Sequence, residues 1–86
     1  MTKKNKVTRP DNKIAEDIRQ ALRLDSDVPD ERIRVEVHNG FATIGGSVDQ
    51  NLQKEAAQND ANKVRGVRGV TNRIEVMPEA LGVQAR

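Results

Sequence analysis

The dipeptide Asn39-Gly40 constrains this chain more than any other feature. Both residues tolerate positive φ, and between two alternating runs they specify a two-residue hairpin. The run before it, Ile33-Arg34-Val35-Glu36-Val37-His38, alternates strictly between apolar and polar. The run after it, Phe41 to Val48, alternates as well. A two-residue turn pairs His38 with Phe41, Val37 with Ala42, Glu36 with Thr43, Val35 with Ile44 and Ile33 with Gly46. The inward set is then Ile33, Val35, Val37, Ala42, Ile44 and Val48. The outward set is Arg34, Glu36, His38, Phe41 and Thr43. Gly46 is expected to face the covering helices, where a side chain would push them away.

The flanking segments carry the helical period. Ile14, Ala15, Ile18, Ala21 and Leu22 form one stripe, which predicts a helix over residues 11–24 capped by Asp11, or by Thr8 with Pro10 in the first turn. Pro29 and the Asp/Ser-rich stretch before it end that helix and lead into the hairpin. Asp49 can cap a second helix over 50–64. Its apolar face is weak (Leu52, Ala56, Ala57, Ala61 and Val64), Asp60 sits beside the stripe, and an unpaired carboxylate there keeps that edge wet. Gly66 is expected in the left-handed cap position. Val70 to Val76 alternates again, placing Thr71, Arg73 and Glu75 outward, and Pro78 ends this third strand. The order α-β-β-α-β predicts an α+β fold: a small three-stranded mixed sheet with two helices packed on one face. The first strand is expected in the centre. Residues 1–10 read as a disordered basic tail, 11–77 as the domain and 78–86 as a flexible tail.

Composition excludes several classes. Leu, Ile, Val and Phe supply 20 of the 86 residues, just above the content below which chains stay unfolded. There is no cysteine, so disulfides, thiolate metal sites and cysteine nucleophiles are excluded. One Phe and no Trp or Tyr do not build a stacking platform for single-stranded nucleic acid. No run approaches the roughly 18 apolar residues of a membrane span. The net charge of +2 divides unevenly: Lys3, Lys4, Lys6 and Arg9 make the first ten residues strongly basic, and the remainder is slightly acidic. A positive head with no apolar stretch after it is not a secretory leader. The expected location is cytoplasmic if the chain is complete as given, and periplasmic or envelope if a leader has been removed.

The string Val35-Glu36-Val37-His38-Asn39-Gly40-Phe41-Ala42-Thr43-Ile44-Gly45-Gly46-Ser47-Val48 resembles the central signature of the BON domain, the bacterial OsmY and nodulation domain. The stretch Gly66-Val67-Arg68-Gly69-Val70-Thr71-Asn72-Arg73-Ile74-Glu75-Val76 is similar to the closing motif of that family. Ile14, Ile18, Ala21-Leu22 and Asp25 fit its first helix. The resemblance covers residues 11–77, in a single copy. It implies a non-enzymatic binding module of the cell envelope, with no cofactor, whose partner is a phospholipid membrane surface or an envelope protein. Asp60 stands where that family often has an apolar residue. Gly40, Gly46 and Gly66 read as structural positions of the motif. Asn72 reads as binding the backbone of the Gly66–Gly69 turn.

Three sets of residues carry functional readings. Lys3, Lys4, Lys6, Arg9, Arg65 and Arg68 form a candidate site for anionic lipid, worth about 1 kcal/mol per charge near a membrane. Arg34, Glu36, His38, Phe41, Thr43 and Arg73 form an open sheet face. That face is either solvated, with cross-strand ion pairs of about 0.2–1 kcal/mol each, or a docking surface for a protein or a second copy centred on Phe41. Asp25, Asp27, Asp30 and Glu31 are weak candidates for a small-cation sensor, since hard cations take oxygen ligands, although the loop lacks the spacing of a calcium loop. Gly66-Val67-Arg68-Gly69 matches the Gly-x-x-Gly clamp of nucleic-acid-binding KH domains but precedes a strand rather than joining two helices, so no nucleic acid is expected. The lone His38 makes no multi-histidine site, and no nucleophile stands with a base.

Overall fold

The computed structural model describes residues 9–77. The elements are α1 (Asp11–Leu24), a 3-10 turn (Asp30–Arg32), β1 (Ile33–His38), β2 (Phe41–Val48), α2 (Asn51–Asn62) and β3 (Gly69–Val76). Residues 1–8 of the expected tail 1–10, and the expected tail 78–86, lie outside the described residues.

The hairpin forms in the register its sequence specifies, from Ile33 opposite Gly46 to His38 opposite Phe41. Asn39 at φ 53° and Gly40 at φ 85° make the turn. The strand order corrects one expectation: β2, not β1, is central, and β3 runs parallel to it with Phe41 beside Gly69 and Val48 beside Val76. The reason lies in the crossover. α2 leaves from the end of β2 and returns the chain to the turn end of the hairpin. There the Arg68 N–H donates to the Gly40 carbonyl at 2.8 Å, which sets β3 down beside β2. Consecutive strands joined by one helix are neighbours far more often than not.

The helices cover one face, and the core lies between. Ile14, Ile18 and Leu22 of α1 meet Val35, Ala42, Ile44, Val48 and Ile74 of the sheet, with Ala57 and Ala61 of α2. Val28, in the loop after α1, is also buried, although no period marks it in the sequence. Leu52, expected on the inner stripe of α2, is 66% exposed. It is the second residue of its helix and stands before the helix reaches the sheet.

Four capping and packing expectations are corrected. Pro10, not Asp11, occupies the N-cap of α1. The N-cap of α2 is Gln50, in a reciprocal capping box with Gln53, because the Gln53 side chain accepts the N–H groups of both Asp49 and Gln50. That leaves the Asp49 carboxylate free to pair with Arg32 at 3.3 Å. α2 ends with Lys63 as its cap, so Gly66 (φ 95°) serves the following turn rather than the helix. Gly46 also differs. At φ 127° its hypothetical Cβ would strike the Arg32 carbonyl, at the entry to β1. The neighbouring chain, not the helices, requires glycine there.

Candidate functional site

A polar cluster lies where the hairpin turn, the start of α1 and the Gly66–Gly69 turn meet. Asp11, freed from capping its own helix, accepts the Asn39 N–H at 2.9 Å through one carboxylate oxygen and the Gly40 N–H at 3.0 Å through the other. These turn amides point away from the strand ladder and need an acceptor. The stem of Arg68 crosses Gly40 so closely that a Cβ there would lie 2.6 Å from its Cδ. From that position the Arg68 guanidinium sits 5.2 Å from the centre of the Phe41 ring, a cation–π distance, and it reaches the Asn39 carbonyl at 3.4 Å. Gly69 supports the ring from the side, since a Cβ on it would meet Phe41 Cδ1 at 3.2 Å. Phe41 remains 53% exposed.

The expected basic patch is divided. Lys3, Lys4 and Lys6 lie outside the described residues. Arg9 is not a free tail residue: its guanidinium pairs with Asp17 and donates to the Arg65 carbonyl at 3.1 Å. Arg65 itself is exposed, and Arg68 is held over Phe41. Arg9, Arg65 and Arg68 therefore do share one end of the molecule, but Arg9 is largely neutralised.

The outer sheet face is open, as its polar pattern implies. Arg34, Glu36, His38, Thr71, Arg73 and Glu75 are exposed, and Thr43 is half-buried. Because β2 is central, its small residues Thr43, Gly45 and Ser47 form the floor between the longer side chains of β1 and β3. Arg34 leans inward, with Nη2 at 3.9 Å from where a Gly45 Cβ would stand.

Asn72 faces the helices, not the Gly66–Gly69 turn. Its amide nitrogen donates to the Lys54 carbonyl and to Gln58 Oε1, both at 3.1 Å, and its Oδ1 accepts the Ile74 N–H. It pins α2 to β3. No sequence period signals this, because it depends on how closely α2 approaches.

The acidic loop does not converge on a point. Asp25 Oδ1 accepts the Asp27 N–H, and Asp30 lies 3.9 Å from Arg23. Among the described residues no three His, Cys, Asp or Glu side chains gather as ligands for a metal ion. Asp25 instead faces Asp60 across the helix pair. Burial first, and the neighbouring Asp25 second, push the Asp60 carboxyl up to about 6. The hydrogen bond from Asp60 and then the Asp27 N–H hold Asp25 below its ordinary value. With both ionised, Asp60 Oδ2 is buried without a partner; a proton on Asp60 supplies the missing donor. Asp60 as a whole is half-buried, in line with the expected wet helix edge, although its Oδ2 atom is covered.

Among the described residues no helix is long and apolar enough to cross a membrane. No curated protein matches the chain. Among solved structures, the fold is similar to CdsD, a structural protein of the type III secretion system of Chlamydia trachomatis, with a TM-score of 0.70 at 17% identity. That likeness covers 87% of this chain and 35% of the CdsD chain, so this chain spans about a third of that structure's length. The BON domain family model matches residues 10–78. With the hairpin, the crossover and the closing strand all in place, the chain belongs to the BON domain family, a family of binding modules linked to membranes and the envelope.

Proposed function

We propose that this chain is a non-catalytic binding module that docks on an anionic phospholipid surface through the hairpin end of its open sheet face. One observation carries this reading: Phe41, half-exposed on that face, lies under the guanidinium of Arg68. A ring beside a fixed cation suits the bilayer interface, where apolar bodies enter and cations meet phosphates. The exposed Arg65 stands at the same end, and the basic segment with Lys3, Lys4 and Lys6 leads into Arg9 there. Each cation near an anionic surface adds about 1 kcal/mol, so the association is modest and salt-sensitive.

Co-sedimentation with anionic and with neutral vesicles, at low and at high salt, tests it. Binding is expected on anionic vesicles at low salt, reduced by Phe41→Ala and by Arg68→Gln and lost at high salt. Failure to bind anionic vesicles at low salt overturns the reading.

A second reading has its own support: CdsD, whose fold is similar, is described as a structural protein of an assembly. An adaptor would use the same face on another protein or a second copy. In that case Phe41→Ala changes the sedimentation coefficient or partner capture of a still-folded domain in the absence of lipid.

A further inference from the structure

Among the described residues, the outer sheet face carries charges that no ion pair uses. Among the described residues the ion pairs are Arg9–Asp17, Arg23–Asp30 and Arg32–Asp49. Arg34, Glu36, Arg73 and Glu75 are exposed and outside all three. The register arranges them. Arg34 and Arg73 both lie beside Gly45, one on each flanking strand, so their Cα atoms stand roughly 10 Å apart. Glu36 flanks this arginine row on one side along β1, and Glu75 flanks it on the other along β3. Each is one residue pair, roughly 7 Å, further along its strand. Gly45 leaves the floor of the row empty, and Arg34 already leans over it. Thr43 and Ser47 add hydroxyls on either side of the floor, and the open trough measures about 480 Å³.

This layout does not suit a simple anion. Two forked donors over a bare floor match a phosphate, but the two carboxylates repel a ligand that is negative throughout. They favour one whose phosphate is followed closely by a cation. They also select the kind of cation. A primary ammonium donates N–H bonds to a carboxylate. A quaternary ammonium has none to give and is held by aromatic faces, and the nearby Phe41 face is occupied by Arg68. A headgroup with an added carboxylate meets repulsion from Glu36 or Glu75.

We infer that the trough over Gly45 holds the phosphate-and-primary-ammonium headgroup of an ethanolamine phospholipid, with Arg34 and Arg73 on the phosphate and Glu36 or Glu75 on the ammonium. This rests on the membrane reading above and adds a headgroup preference to it, because Phe41 lies on the same face.

Amide chemical shifts of the full chain, titrated at low salt with glycerophosphoethanolamine and with glycerophosphocholine, test the site directly. The amides of Thr43, Gly45 and Arg73 should move, with affinity for the ethanolamine probe about fivefold tighter, the upper worth of one exposed ion pair. The double change Glu36→Gln with Glu75→Gln should abolish that preference, and Arg34→Gln with Arg73→Gln should abolish the shifts; both pairs lie on the surface and leave the core unaltered. Vesicles of fixed anionic content, filled out with ethanolamine or with choline lipid, give the second arm. Vesicle binding without preference, together with flat shifts, overturns the headgroup assignment and leaves the docking reading standing. Shifts with the soluble probe but no vesicle binding overturn the lipid source itself.

Discussion

Asp11 ties the start of α1 to the hairpin turn through two hydrogen bonds to backbone amides. A carboxylate holding two otherwise unpaired amides is worth more than a neutral bond, because its loss leaves donors without an acceptor. Asp11→Ala should therefore lower the unfolding free energy by about 1–3 kcal/mol, with Asp11→Asn in between since it keeps one acceptor oxygen. Urea midpoints measure this, and an unchanged midpoint for the alanine variant contradicts the assigned role. Gly40 adds a linked prediction. Alanine there meets both φ 85° and the stem of Arg68. Gly40→Ala should destabilise by at least about 1 kcal/mol and displace the guanidinium from Phe41, visible as a shift of the Phe41 ring protons. Shifts identical to the parent would show that the turn backbone, not the Arg68 stem, gives way to the methyl.

At the scale of elements, α2 has the weakest apolar face in sequence and docks through small residues. Ala57 and Ala61 are fully buried, and Asn72 bonds the helix backbone directly. Ala57→Leu should cost about 1–3 kcal/mol by overpacking, whereas Leu52→Gln should stay within about 0.5 kcal/mol because Leu52 is exposed. Thermal unfolding of the two variants separates them, and equal losses would mean α2 does not dock through its alanines. The same contrast shows what the sequence could and could not disclose. The hairpin was legible because turn chemistry and a period of two agree, and α1 was legible because its stripe is continuous. Leu52 was misplaced because hydrophobicity alone does not say at which turn a helix reaches the sheet. Strand order was not legible, since alternation reports the faces of a strand and not its neighbours; the crossover decides that. The candidate site inherits the same divide. The exposure of Phe41 followed from its parity in β2. The seat of Arg68 over it, and the pairing of Arg34 with Arg73 across Gly45, exist only because β3 lies beside β2.

For the whole molecule, the Asp25–Asp60 contact makes stability depend on pH through the joint between the two helices. Asp60 has a folded pKa of about 6 against 3.8 for the free group. Its contribution is therefore fully present below about pH 4 and is lost as pH rises through about 6. Asp25 is held below its ordinary value, so its contribution is present above about pH 4 and is lost as pH falls through its lowered value. Lys63 and Asp27 also face Asp60, the first favouring its ionised form and the second opposing it, and burial and the shared proton outweigh Lys63. The two signs leave an interval around pH 4–5 in which one proton serves both carboxyls and the joint is tightest. The comparison is made against a variant altered only at this contact. Asp60→Asn keeps a donor toward Asp25 at every pH and removes the charge. It should be more stable than the parent at pH 7.5 by roughly 1 kcal/mol and lose that advantage at pH 5. Urea unfolding of both proteins at the two pH values measures the difference. An advantage of the same size at pH 5 and 7.5 would show that Asp60 does not take up a proton in that interval.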